Sequence, residues 1–304
     1  MRINNNITAI NSHRQYGINN FNISKNMEKL SSGYRVNRAA DDAAGLAISE
    51  KMRTQIRGLN MASKNSQDGV SLVQTAEGGM QAIQNILQRV RELAVQSASD
   101  TNQNTVDRQA IQLEVNQLIA EIDQIAETTE FNKMKLLNGP SPTTGQGSVF
   151  GLLTGGVIQA GANAGQTMTI HIGDMRAEGM TSSSGVTVAD LVNKGAETNP
   201  DSTTANGVSN QAAASNAIQV LDDALNYVSM ARARLGAYQN RLEYKISNLD
   251  NQAENVAASE SRIRDADMAK MMTEFTKNSI LFQASTAMLA QANALQQGVL
   301  QLLG

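Results

Sequence analysis

The chain has 304 residues, a net charge of −3, two His and neither Cys nor Trp, with aromatics at 3% and charged residues at 17%. That length allows one large or two ordinary domains, whose core must come from Ile, Leu, Val, Met and Ala. A slightly acidic balance with no Lys/Arg run longer than a pair leaves no electrostatic footprint for nucleic acid or a membrane surface, and the lack of Cys excludes disulfides, thiolate metal sites and thiol nucleophiles.

At the start, Met1-Arg2-Ile3 runs into Asn4-Asn5-Asn6, so no unbroken apolar stretch of a Sec-type signal is expected there. Ile3, Ile7, Ile10, Ile18 and Phe21 then make a helical stripe in a segment whose only formal charge between Ile3 and Ser24 is Arg14. Asp41 and Asp42 suit the N-terminus of a long helix, as caps and as charges at the positive dipole end. Beyond them Gly45, Ile48, Met52, Gln55, Leu59, Ala62, Ser66, Gly69, Val73, Ala76, Met80, Ile83, Leu87, Val90 and Ala94 step by threes and fours, a heptad seam that is weak at Ser66 and Gly69. Asp100-Thr101-Asn102 marks a turn, and Ile111, Val115, Leu118, Ile122 and Ile125 predict an antiparallel return helix from about Thr105 to near Thr128.

All three prolines and 13 of the 23 glycines fall between Asn138 and Gly207, so the middle reads as an insertion between two helical arms. Period-two alternation of Thr167, Thr169 and His171 with Met168, Ile170 and Ile172, a Gly-broken apolar run from Val149 to Ile158, and the turn dipeptides Asn138-Gly139 and Asn206-Gly207 predict a few short strands and exposed loops. Ser182-Ser183-Ser184 and Ser202-Thr203-Thr204 could accept sugar or phosphate, but read rather as solvated linker. The second arm continues the helical spacing through Ala214, Ile218, Leu221, Leu225, Val228, Leu235, Leu242, Ile246, Leu249, Ala253 and Val256, with Arg232 and Gln239 as polar exceptions.

From Asn278 to Gly304 there is no charge at all, yet Leu281, Ala284, Met288, Ala292, Leu295, Val299 and Leu302 form another stripe. Gln283, Gln291, Gln296 and Gln297 interrupt it too often for a membrane span. An exposed helix ordinarily carries charge on its outer face, and an antiparallel pair made by the two ends would still present neutral faces rich in Asn and Gln. Packing of several copies would cover them. In a free monomer such segments are expected to be mostly disordered and to fold on assembly.

No catalytic chemistry is legible. His13 and His171 stand apart, Gly145 to Gly151 misses the dinucleotide-loop spacing by one residue, and Asp41-Asp42 and Asp222-Asp223 point about 100° apart on helices, as caps or solvated faces. Neither an enzyme nor a cofactor or metal site is expected.

Leu30-Ser-Ser-Gly-Tyr-Arg-Val-Asn-Arg-Ala-Ala-Asp-Asp-Ala-Ala-Gly-Leu-Ala-Ile-Ser49 and Glu260-Ser-Arg-Ile-Arg-Asp-Ala-Asp-Met-Ala269 resemble the two signatures of bacterial flagellins, and Met1 to Ile7 and Phe282 to Asn293 are similar too. The likeness spans roughly 1–138 and 210–304, with the middle matching only loosely. It implies a mainly α fold: a coiled-coil-like bundle of N- and C-terminal arms with a small β/loop insertion. Residues 1–40 with 265–304 would be the terminal helices of the inner filament core, 41–138 with 209–264 the long-helix bundle, and 139–208 the variable insertion.

The resemblance further implies a self-assembling, extracellular filament subunit for motility, exported unfolded through the flagellar type III apparatus. Its polymer contacts would be Ile3, Ile7, Ile10, Ile18, Phe21, Leu281, Ala284, Met288, Leu295, Val299 and Leu302. A flagellar export chaperone would clasp about Phe275 to Leu302, and a cap complex and hook-associated proteins would be further partners. In some flagellins a Gln-Arg-Val-Arg-Glu-Leu stretch meets a vertebrate Toll-like receptor; Gln88, Arg89 and Leu93 match it, and Glu114 aligns with the family's acidic contact. The chain departs from common flagellins in ending with Gly304 and in His13-Arg14-Gln15-Tyr16. A hook–filament junction protein of the same export system and a secreted coiled-coil effector remain as alternatives.

Overall fold

A computed structural model of the chain describes residues 6–99, 106–139, 156–181, 186–192, 207–208 and 211–303, with side chains of the last helix described to residue 295. The elements are α1 (Ile7–Ser32), α2 (Ala43–Ser97), α3 (Asp107–Thr128), β1 (Glu130–Phe131), β2 (Met134–Lys135), β3 (Gly156–Gln159), β4 (Thr167–Ile170), a 3-10 turn at Val188–Leu191, α4 (Gln211–Arg264) and α5 (Met268–Leu303). Two compact units divide them: Met1–Arg57 with Gln252–Gly304, and Gly58–Asn251.

In the Gly58–Asn251 unit the predicted seam is buried along α2 without a break from Leu59 through Ala62, Ser66, Gly69, Val73, Ala76, Met80, Ile83, Leu87 and Val90 to Ala94. It meets Ile111, Val115, Ile119 and Ile122 of α3 and Ala214, Leu221, Val228, Leu235 and Leu242 of α4 in one core. The weak middle of the seam has a reason. A Cβ on Gly69 would lie 2.5 Å from Ile158 Cδ1, so the small residue makes room for the β3–β4 hairpin, and Asn65 Nδ2 donates to the Gln159 carbonyl at 3.3 Å beside it.

β3 and β4 are antiparallel, with Gly156 opposite Ile170 and Gln159 opposite Thr167. Met168 and Ile170 face inward and Thr167 and Thr169 outward, the alternation expected of a half-buried strand. The insertion is not all exposed loop, however: Ile170, Met175, Ala177, Met180, Val188 and Leu191 are buried in the same core as the helices. Apolar residues spaced irregularly along a loop give no periodic signal, and this burial was therefore not foreseen. Val149 to Gly155, Asn206 and both Ser/Thr clusters lie outside the described residues.

A second hairpin, β1–β2, follows α3 directly, its two-residue turn formed by Asn132 and Lys133, both at positive φ. Buried polar side chains close the α2 end of the unit. Arg108 donates from Nε to the Ser97 carbonyl and from Nη2 to the Ser99 carbonyl, each at 2.9 Å, satisfying carbonyls that a helix end leaves free. Gln112 donates to the Leu191 carbonyl at 3.0 Å and accepts from the Val208 N–H at 2.6 Å. The polar exception Arg232 is likewise paired, through Gln84 at 2.5 Å and Glu77 at 3.3 Å.

Candidate assembly surface

The other unit holds both signature stretches. The Gly33 N–H closes α1 on the Lys29 carbonyl, and the chain then runs beside the α4–α5 link: the Arg35 N–H donates to the Arg264 carbonyl at 2.7 Å and the Ala266 N–H to the Gly33 carbonyl at 2.9 Å. Arg35 Nη2 donates to the Ile263 carbonyl at 2.7 Å, and the Arg264 guanidinium lies 4.8 Å from the centroid of the Tyr34 ring. Arg264 also donates to Glu50 at 2.5 Å, holding that carboxyl below its ordinary range, while Arg53 reaches Glu260 at 3.5 Å. The signature residues thus tie two chain reversals together.

The adjacent aspartates have separate tasks. Asp42 caps α2, its Oδ1 accepting from the Gly45 N–H at 2.8 Å. Asp41 pairs with Lys25 of α1 at 2.9 Å and accepts the N–H groups of Asn37 and Arg38. That pairing, Lys25 first, lowers its pKa to about 2. At this end of α2 the predicted seam holds at Gly45 but not at Ile48 and Gln55, which are exposed, while Ser49 beside them is buried. On this stretch Glu50 and Arg53 meet Arg264 and Glu260.

α1 packs against α5, and the seam runs mostly through positions outside the two predicted stripes. Along α1 the covered positions include Ala9, Ser12, Tyr16, Asn19, Ile23, Asn26 and Leu30. Along α5 they include Met271, Phe275, Asn278, Phe282, Ser285, Leu289 and Ala292. Tyr16 and Phe282 stack with centroids 4.8 Å apart, Asn19 donates to Ser285 Oγ at 2.8 Å, and Asn6 Nδ2 donates to the Ala292 carbonyl at 3.1 Å.

The greasy stripes lie outside. Ile7 and Phe21 are each 68% exposed and Leu295 64%, and Ile10, Ile18, Leu281, Ala284 and Met288 are exposed as well. Among the described side chains of the C-terminal stripe only Ala292 belongs to the seam within the chain. Ile3 and the side chains of Val299 and Leu302 lie outside the described residues. Sequence reading missed Asn19, Tyr16 and Ser285 because a search for apolar periodicity finds the outer face; their own three-four spacing was the available signal. Among the described residues no group of three or more His, Asp or Glu gathers to hold a metal, and no helix is long and apolar enough to cross a membrane.

The second predicted site divides. Gln88, Arg89 and Glu114 are exposed, and Arg89 donates to Glu114 at 2.9 and 3.2 Å and to Glu92 at 3.2 Å, contacts that raise its pKa, Glu114 most. Leu93 is 2% exposed within the helical core. The structure thus brings Gln88, Arg89 and Glu114 together at the surface and places the Leu93 side chain in the core beneath them.

Residues 3–141 match the bacterial flagellin N-terminal helical region, and residues 218–303 match the bacterial flagellin C-terminal helical region. The flagellin of Bacillus subtilis is 52% identical over 318 aligned positions, and that of Halalkalibacterium halodurans 49% over 303, each covering 100% of both chains. The crystal structure of Bacillus cereus flagellin, 29% identical, covers 65% of this chain and 94% of that one with a TM-score of 0.47.

Proposed function

The chain belongs to the bacterial flagellin family and is a structural subunit of the flagellar filament, and on that premise we propose that its two terminal helices carry the assembly. The carrying observation is the uncovered stripe. A pair that buries Asn19 and packs Tyr16 on Phe282 while leaving Ile7, Phe21, Met288 and Leu295 in water is half of an interface. Neighbouring copies of the chain cover those side chains in the filament, together with Ile3, Ile10, Ile18, Leu281, Ala284, Val299 and Leu302.

In this reading residues 1–40 with 265–304 form the inner tube around the central channel. Residues 41–138 with 209–264 form the surrounding layer, and 139–208 face outward. The subunit leaves through the flagellar type III apparatus, with an export chaperone holding about Phe275 to Leu302 so that the same apolar stripe is not free beforehand. It is placed at the growing tip under a cap complex, beyond hook-associated proteins, in an extracellular filament. Gln88, Arg89 and Glu114 form the outer part of a surface for a Toll-like receptor.

Truncation tests the assembly reading. Removal of residues 1–30 and 275–304 is expected to leave a helical monomer that does not polymerise, because the core around Val73, Ile122 and Leu221 is untouched. Filaments of normal length from that fragment would overturn it.

A further inference from the structure

Apolar burial is non-directional, so two helices packed through greasy side chains alone slide past one another in steps of a turn at little penalty. The α1–α5 seam contains a directional element. Asn19, 4% exposed, donates from Nδ2 to the Leu281 carbonyl at 3.3 Å and to Ser285 Oγ at 2.8 Å. Ser285 Oγ spends its own hydrogen on the same Leu281 carbonyl at 2.7 Å, which leaves its lone pairs to receive the Asn19 amide.

One turn along α5 in either direction from Ser285 stands a leucine, Leu281 or Leu289. A one-turn slip therefore sets the buried carboxamide against a side chain that accepts nothing, the kind of penalty by which a single buried Asn fixes register in coiled coils. We infer that Asn19, with Ser285 as its acceptor, sets the stagger of α1 against α5 and thereby gives every subunit the same composite apolar outer face. This rests on the filament reading above. A slipped subunit would carry the outer side chains of α5 about 5.4 Å out of place along α1 and could not repeat the contacts of its neighbours.

The chain has no Cys, so cysteines replacing Thr8 and Thr273, both exposed and far apart along the pair, take two spin labels and no others. Labelled full-length subunits are diluted into unlabelled ones, grown into filaments and measured by double electron–electron resonance. One separation is expected for the parent. Asn19→Leu is expected to add a second population displaced by about 5.4 Å, with filaments of mixed waveform in electron micrographs. The exchange Asn19→Ser with Ser285→Asn, which rebuilds a buried amide–hydroxyl pair, should restore the single separation.

One unshifted separation in Asn19→Leu filaments would overturn the inference. Should that variant not polymerise, Ser285→Ala, which removes only the hydroxyl acceptor, is judged by the same criterion. Failure of the unsubstituted labelled chain to form filaments would count instead against the assembly reading itself.

Discussion

Three outer-face side chains give the assembly reading a number. Ile7 and Phe21 are each 68% exposed in the single chain and Leu295 is 64% exposed. Full burial of such a side chain contributes about 1.5–3 kcal/mol, and roughly two thirds of it remains to be gained on assembly, so each offers about 1.5 kcal/mol. Replacing all three by Ser removes roughly 4.5 kcal/mol from every addition step, which raises the critical concentration for polymerisation about a thousandfold at about 1.4 kcal/mol per tenfold. The isolated subunit should hardly notice, since exposed positions away from caps and cores usually change stability by less than about 0.5 kcal/mol. The assay is seeded growth followed by pelleting over a concentration series, with thermal unfolding followed by circular dichroism as the control. A critical concentration within about threefold of the parent would refute the argument.

The receptor patch and the core beneath it can be separated. Leu93→Ala should destabilise the fold by about 2–5 kcal/mol, read as a lower Tm; Arg89→Ala should leave the Tm nearly unchanged, because exposed ion pairs add little, and should lower signalling in a Toll-like receptor reporter assay. A reporter response to Arg89→Ala equal to the parent's would remove the patch from the account. The Asp41–Lys25 pair makes a pH prediction. Because pairing lowers Asp41 from 3.8 to about 2, its stabilisation is complete above the ordinary value and is lost as pH falls through about 2. Lys25→Met should move the Asp41 titration, followed by carboxyl NMR, back toward 3.8, and an unmoved titration would show that other contacts hold it. Gly78 and Gly79 should behave oppositely although adjacent in α2. A Cβ on Gly78 meets nothing within 4 Å, so Gly78→Ala should stabilise by about 1 kcal/mol through helix propensity. On Gly79 it would meet Leu137 Cδ1 at 2.7 Å and Thr129 Oγ1 at 2.8 Å, so Gly79→Ala should gain nothing; equal rises in Tm for both would contradict the packing described.

Much of the helical architecture was legible because its residues obey a period. The three-four spacing from Leu59 to Ala94 comes out buried as read, as do Ile111, Val115 and Ile122 of α3 with Leu118 and Ile125 partly buried against the core, and the limits of α3 fall within two residues of those expected. The Thr167 to Ile170 alternation similarly yields β4. What escaped was decided between distant segments. Ile48 and Gln55 belong to the right spacing but turn outward, on a stretch where Glu50 and Arg53 pair with Arg264 and Glu260 far along the chain. Met175 and Met180 enter the core from a loop that has no period to read. Leu93 carries a family motif and a core position at once, and only its burial shows which applies to the side chain. At the chain ends apolar periodicity identified a real stripe, while the partner of that stripe is not the other end of the same chain, whose seam runs through Asn19, Tyr16 and Ser285.

Amide hydrogen exchange read peptide by peptide over 7–32 and 268–303 tests most directly whether the terminal helices depend on neighbouring subunits. Exchange near the unprotected rate is expected in dilute subunits, because the isolated pair leaves Ile7, Phe21, Met288 and Leu295 in water, and strong protection of the same peptides in filaments. Equal, strong protection in both states would contradict it.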